Sequence, residues 1–295
     1  MTDTISSAAN PLAKRVRLLG DRKHRRRAGA FVVEGLQPVW CAVEAGWEIE
    51  TLIVAPTLLT GPAALRMVEE QEQAGVPVAR LSADLFKRLF DRDGPAGLAA
   101  IVRSRTGGLS TLEVHPGAVF VALHRIANPG NLGTIIRTVD AVGGAGVILV
   151  GDTVDAFSPA AVKASMGSLF AVDVVHTPGT GEFLSWAAER GVAVLATSGA
   201  AEDDHWNAGY EPPLAFLLGS EREGLPEDLL AAASRRLRIP MVGTVDSLNI
   251  GVAASILLYE ARRYRENSAA TADRSSLPDG VSGSRSTGKY IRGTM

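Results

Sequence analysis

The chain has 295 residues, 46 % of them apolar and 21 % charged, with a net charge of −2. That is the composition of ordinary globular protein, and the length suffices for two domains. No apolar run reaches the roughly 18 residues that a membrane helix needs, residues 1–11 lack the apolar core of a secretory signal, and the single cysteine, Cys41, allows neither an internal disulfide nor a cysteine-based metal cluster. A cytoplasmic protein without metal is the default expectation, with Cys41 packing a helix.

The charge is unevenly spread. Residues 1–30 carry Lys14, Arg15, Arg17, Arg22, Lys23, Arg25, Arg26 and Arg27 against Asp3 and Asp21, a net of +6, so the rest of the chain sums to −8. Such asymmetry suggests that this end meets a polyanion; the plain alternative is a solvated charged face. Residues 1–11 read as disordered, and Leu12 to Arg27 as one helix and a basic loop. Phe31–Glu34 reads as a strand, Gly35 opens a helix to about Ala45, and Leu52–Val54 is a second strand. Pro62–Ala74 is helical, Val76–Leu81 a third strand, and Ser82 a plausible cap for a helix to Phe90. A turn at 91–97 and a strand at Leu98–Val102 complete a small α/β domain, 12–104.

Residues 105–117, rich in Gly, Ser and Thr, read as a linker. A second domain, 118–266, opens on the apolar run Ala118–Leu123, followed by N-P-G-N-L-G-T-I-I-R-T-V-D-A-V-G-G at Asn128–Gly144. Pro129, Gly130 and Gly133 turn the chain into a helix with Ile135, Ile136 and Val139 on one face, and Gly143–Gly144 suit its C-terminal cap. With the strand Val147–Val150 this makes a βαβ unit, whose turn is where ligands collect; an ordinary turn with nothing bound reads the same way. Ser158–Phe170 is a short helix and a small-residue turn. Strands at Val172–Val175, Val192–Ala196, Leu214–Leu218 and Leu237–Ile239, with a helix at Gly181–Arg190, lead to a long helix, Ser247–Tyr264. Three of the strands end in Gly- or Pro-containing turns, and the last helix carries the small residues Gly251, Ala253, Ala254 and Ser255. Residues 267–295 read as a disordered tail.

Two later blocks join the first: L-L-G-S-E-R-E-G-L-P at Leu217–Pro226, and I-P-M-V-G-T-V-D-S-L-N-I-G-V-A-A-S-I-L-L-Y-E at Ile239–Glu260. In this order and spacing the three resemble the signature motifs of the SpoU (TrmH) family, RNA ribose 2′-O-methyltransferases of the SPOUT superfamily. F-V-V-E-G followed by a helix ending in A-G-W more loosely resembles the substrate-binding domain of such enzymes, ribosomal and antibiotic-resistance types among them.

The resemblance implies an α/β fold: a C-terminal SPOUT-type domain with a mainly parallel sheet and a trefoil knot, plus the small N-terminal RNA-binding domain. It implies S-adenosylmethionine as cofactor, RNA as partner, ribosomal in preference to transfer RNA, and a homodimer. By the same resemblance Asn131, Arg137, Glu221, Ser247 and Asn249 form the catalytic set. Thr197, Ser198, Gly199, Leu218, Gly219, Ile239, Met241 and Leu248 hold the cofactor. A K-x-S-x-G-S stretch adds Lys163, Ser165 and Ser168 to Arg22, Lys23, Arg25, Arg26 and Arg27 as RNA contacts. Plainer roles remain: Ser247 as a helix cap, Glu221 paired with Arg222 or Arg235. Relatives often carry Ser or Asn where this chain has Gly251, which bears on substrate choice.

Three other functions compete. A dinucleotide oxidoreductase fails because G-G-A-G at Gly143–Gly146 lacks the third glycine and precedes its strand. A P-loop enzyme fails for want of a Walker sequence. A non-catalytic RNA-binding protein on the same scaffold predicts a damaged catalytic set, and here that set is intact.

Overall fold

The computed structural model of the protein describes residues 4–90 and 96–275. Its first unit is a four-stranded sheet of β1 (Ala30–Glu34), β2 (Ile49–Val54), β3 (Val78–Arg80) and β4 (Leu98–Arg103), in the order β1-β4-β2-β3. β4 runs antiparallel to β1 and β2, and β2 parallel to β3. Helices α1 (Pro11–Leu18) and α5 (Ala83–Leu89) pack on one face, α3 (Leu36–Glu44) and α4 (Pro62–Gln73) on the other.

The basic stretch is two helices rather than a helix and a loop. Asp21 accepts hydrogen bonds from the Lys23 and His24 amides, so a new helix, α2 (Arg22–Ala28), starts there. The expected disorder of residues 1–11 also needs correction. The Ile5 amide donates to the Arg80 carbonyl and the Ser82 amide to that of Ile5, which docks this segment on β3. Residues 1–3 and most of the expected 91–97 turn lie outside the described residues.

The second unit is a seven-stranded sheet: β5 (Val119–His124), β6 (Gly146–Val150), β7 (Val174–Thr177), β8 (Ala193–Thr197), β9 (Asp203–Asp204), β10 (Leu214–Leu218) and β11 (Arg235–Arg238). Its order is β7-β6-β5-β10-β8-β11-β9, and every neighbouring pair is parallel. Every residue of β5, β6 and β10 is buried, as parallel strands covered on both faces must be. α6 (Pro129–Val142), α7 (Pro159–Ser165) and α10 (Ile250–Ser275) cover one face, α8 (Thr180–Glu189) and α9 (Glu227–Ala232) the other. β9, two residues long, and α9, six, are too short to show a period in the sequence. α10 continues to Ser275, so the expected disordered tail begins as helix; its run of alanines favours this. The rest, 276–295, lies outside the described residues.

The two units share one hydrophobic core. Phe31 packs on Phe157 with ring centroids 4.7 Å apart, and Trp47 meets Phe170 edge-on at 5.2 Å. Cys41 of α3 lies against Gly167, where an added Cβ would come within 2.7 Å of its sulfur. The expected linker packs as well. Arg105 lies over the Trp47 ring at 4.7 Å, Gly107 bridges to Val175 of β7, and Leu109 and Leu112 are buried.

Candidate active site

Turns leaving β8, β10 and β11 meet the segment entering α10 around a cleft of about 460 Å³. These are carboxyl ends of parallel strands, where open α/β sheets bind ligands. Thr197, Ser198, Gly199, Leu218, Gly219, Ile239, Met241 and Leu248 all line it, as do Glu221 and Ser247. One wall depends on Gly219. A Cβ there would sit 2.1 Å from the Gly224 carbonyl carbon, so only glycine lets the 220–224 turn fold back against it. The Gly224 amide closes that turn by donating to the Ser220 carbonyl at 3.0 Å, with Gly224 at φ 67°. Arg238 also lines the cleft and pairs with Asp204 at 2.6 Å. The sequence reading missed it, although it directly precedes Ile239.

Beside the cleft, which Glu221 lines and Asn131 and Asn249 do not, these three catalytic candidates are joined in series. The Asn249 side-chain amide donates to Asn131 Oδ1 at 3.0 Å, and the Asn131 amide donates to Glu221 Oε1 at 2.7 Å. Each asparagine sits at a helix start. Asn128 caps α6 through the Gly130 and Asn131 amides, while Asn249 Oδ1 accepts from Gly251 and Val252 at 2.9 and 3.3 Å. Asn249, not Ser247, therefore caps α10. Glu221 pairs with neither Arg222 nor Arg235, the latter being held by Asp203 at 3.0 Å. Gly251 has a packing reason: an added Cβ would lie 3.3 Å from Thr134 Cγ2 and 3.1 Å from Asn249 Oδ1. With Ser255 Oγ 3.0 Å from Thr138 Oγ1 as well, Gly251 and Ser255 of the small-residue face pack on α6 within the chain, Ala254 is buried, and Ala253 lines the cleft.

Arg137 is not part of this constellation. It lies two turns into α6, exposed, outside the cleft lining, with no hydrogen bond or ion pair to any described residue. The RNA set divides. Arg22, Lys23, Arg26, Arg27 and Lys163 are exposed. Arg25 is buried in an ion pair with Asp155 at 2.7 Å, and so is corrected from an RNA contact to an internal one. Ser165 is fully buried, its hydroxyl donating to the Val162 carbonyl, and cannot meet RNA either. The Ser168 hydroxyl donates to Asp140 at 2.6 Å.

His124 ends β5, the strand beside β10, and is buried with Nδ1 unpartnered. Burial pushes its imidazole below the ordinary range, and neighbouring Arg125 adds to the effect.

A fully parallel sheet covered by helices on both faces, with a cleft beneath three strand ends and polar side chains gathered beside it, defines a ligand-binding α/β domain. Residues 118–259 match the model of the SpoU rRNA methylase family, and residues 10–100 that of the MRM3-like substrate-binding domain. The chain is 34 % identical to a 23S rRNA (uridine(2479)-2′-O)-methyltransferase of Streptomyces viridochromogenes, over 84 % of this chain and 88 % of that one. An AdoMet-bound rRNA methyltransferase from Sinorhizobium meliloti superposes with a TM-score of 0.82 at 37 % identity, covering 89 % of this chain and 98 % of that one. The SpoU methyltransferase AviRb from Streptomyces viridochromogenes, in complex with AdoMet, superposes at 0.80 with 30 % identity, over 88 % and 100 %. The chain belongs to the SpoU rRNA methylase family.

Proposed function

We propose that the protein transfers a methyl group from S-adenosylmethionine to a ribose 2′-hydroxyl of ribosomal RNA. The series Asn249–Asn131–Glu221 beside the cleft carries this reading, because three distant stretches of chain converge on one carboxylate that lines it with all eight expected cofactor residues. The names of the relatives, 23S rRNA 2′-O-methyltransferases among them, support the substrate class.

The cleft suits the cofactor. Leu218, Ile239 and Leu248 offer apolar walls to an adenine, and Gly199 and Gly219 leave backbone groups within reach. Bound there, S-adenosylmethionine supplies a sulfonium methyl that is already electrophilic. What remains for the protein is to align a weak nucleophile and to stabilise its developing charge. Glu221, held by Asn131 of α6 and through it by Asn249, the cap of α10, is oriented to take a ribose hydroxyl or its neighbour, and Ser247 lines the same cleft. Arg137 acts by charge and not as a base, since a guanidinium stays protonated in proteins.

Because Arg137 lies outside its own chain's cleft, we assign it to the cleft of a second copy in a homodimer. The outward side of α10, where Val252 and Tyr259 are 49 % and 55 % exposed, supplies the apolar surface for that contact. Arg22, Lys23, Arg26, Arg27 and Lys163 hold RNA phosphates. The family's trefoil knot and a cytoplasmic location belong to the same reading; no described helix is long and apolar enough to cross a membrane.

Ribosomal and transfer RNA, each incubated with protein and S-adenosylmethionine and then mapped for 2′-O-methyl groups, test it. A new methylated ribose in ribosomal RNA is expected. RNA and cofactor binding without methyl transfer would instead favour an RNA-binding protein on this scaffold, and methylation confined to transfer RNA would overturn the substrate.

A further inference from the structure

Arg25 belongs to a run of three arginines, yet it is 5 % exposed while Arg26 and Arg27 face solvent. Its Nε and Nη2 donate to Asp155 Oδ2 at 2.9 and 2.7 Å, and its Nη1 donates to the carbonyls of Leu19 and Gly20 at 2.9 and 2.8 Å. Asp155 lies in the other unit, in the segment leaving β6 at the carboxyl end of the large sheet, the end that also carries the cleft. Its second oxygen accepts from the Phe157 amide at 2.9 Å, and Phe157 packs on Phe31. An arginine whose work was to hold RNA would need none of these partners.

The aromatic contact between the units has a different physical character. Phe31, Trp47, Phe157 and Phe170 hold the units together mainly by non-directional apolar attraction, with Trp47 Nε1 donating one hydrogen bond to the Phe170 carbonyl at 3.2 Å. A guanidinium fork with fixed acceptors sets an angle. α2 is only seven residues long, so fixing Arg25 also fixes where Arg22, Arg26 and Arg27 point.

We propose that the Arg25–Asp155 pair sets the register between the RNA-holding face of α2 and the methyl-transfer cleft, so that RNA held on α2 presents one chosen ribose. Both are positioning residues. The RNA half of this inference rests on the methyltransferase reading above; the orientation half does not. Without the pair the aromatic contact keeps the units attached, RNA and cofactor still bind, and the target ribose is no longer held in place.

Full-length Arg25→Gln and Asp155→Asn test this, with Asp155→Glu as the conservative variant; Asp155→Asn keeps the side-chain shape should Arg25→Gln fail to fold. Affinities for RNA and S-adenosylmethionine should stay within about twofold, while the single-turnover rate at saturating RNA and cofactor falls roughly tenfold to a hundredfold, the scale of a small misplacement of reacting groups. Mapped methylation should spread to neighbouring nucleotides, and Asp155→Glu should recover part of both. In parallel, spin labels at Glu69→Cys and Glu189→Cys, in a Cys41→Ser background, report the distance between units. The distribution should be narrow in the parent and broad in Arg25→Gln and Asp155→Asn. Unchanged rates and methylation sites, or a loss confined to RNA affinity, would overturn the inference, as would an unchanged distance distribution. If the parent methylates no RNA, the reading of function fails on its own, and the label distances still decide whether the pair orients the units.

Discussion

The cleft proposed for the cofactor and helix α2 make an instructive pair. At the cleft, all eight residues expected from sequence motifs line the cavity. In α2, five basic residues looked alike in sequence, and the structure sends one of them inward to an ion pair and four outward. The cleft is built from turns that directly follow buried strands, so position in the chain nearly dictates position in space. A side chain on a short helix has no such guide, and its direction depends on what packs against the helix.

The largest effect should separate Arg25 from its neighbours. Arg25→Ala removes a buried side chain and leaves Asp155, whose side chain is 13 % exposed, without its partner, and should cost about 3–5 kcal/mol in urea unfolding. Arg26→Ala and Arg27→Ala should each stay within about 0.5 kcal/mol. Each should nevertheless flatten the salt dependence of RNA binding, because one fewer phosphate contact releases fewer counterions. Equal unfolding costs for the three arginines would erase the contrast between inward and outward positions.

Arg137→Ala should lower single-turnover methylation by roughly a hundredfold to a thousandfold, the scale of one lost preorganised electrostatic contact, with stability and cofactor affinity intact because the side chain is exposed and outside the cleft. Arg137→Lys should recover only part, since it keeps the charge and loses the planar fork. Mixed dimers of Arg137→Ala and Glu221→Ala chains sharpen the point. If arginine and cleft come from different chains, each mixed dimer contains one intact site and regains activity. Mixed dimers as inactive as either parent would place Arg137 in its own cleft or nowhere in the reaction.

Gly219→Ala should disturb the cleft wall itself. The added methyl meets backbone at 2.1 Å, not the end of a flexible side chain, so the turn must move at a cost of about 1–3 kcal/mol. Calorimetry should show S-adenosylmethionine binding weakened by roughly tenfold to a hundredfold at 1.4 kcal/mol per decade, with RNA affinity unchanged. Undiminished cofactor binding would mean that the 220–224 turn is not a cofactor wall.

The smallest effect belongs to His124. Its folded-state pKa is depressed by burial, so the unfolded chain takes up the proton first as pH falls. Its contribution is therefore fully present above about 6.5 and is lost as pH falls from there toward the depressed folded value. Unfolding followed between pH 8 and 5 should show this slope, and His124→Gln should lessen it. An identical slope in the variant would assign the pH dependence to other groups.

Periodicity and turn residues were enough for most of the elements. The buried runs of β5, β6 and β10 and the Ser82 cap are local signals. The site was legible to the same extent: Asn131, Glu221 and Asn249 stand in recognisable blocks, although their order of hydrogen bonding, and the fact that Asn249 and not Ser247 caps α10, are not. Illegible too were Arg238, whose place depends on Asp204 across the sheet edge, and the burial of Ser165, which follows from α7 lying against Gly133 of α6.

The sequence by itself determined the parallel α/β unit and the turns that line the cleft, because strand burial, glycine turns and cap residues act within a few positions of one another, and the order and spacing of its three motif blocks carried the resemblance to the family. Only the tertiary structure decided that the two units share a core, that Arg25 reaches Asp155 across 130 positions, that Gly251 and Ser255 of α10 pack on α6, and that Arg137 stands outside its own cleft. Those outcomes depend on which surfaces meet, and an arginine or a glycine carries no mark in the sequence of the partner that will lie against it.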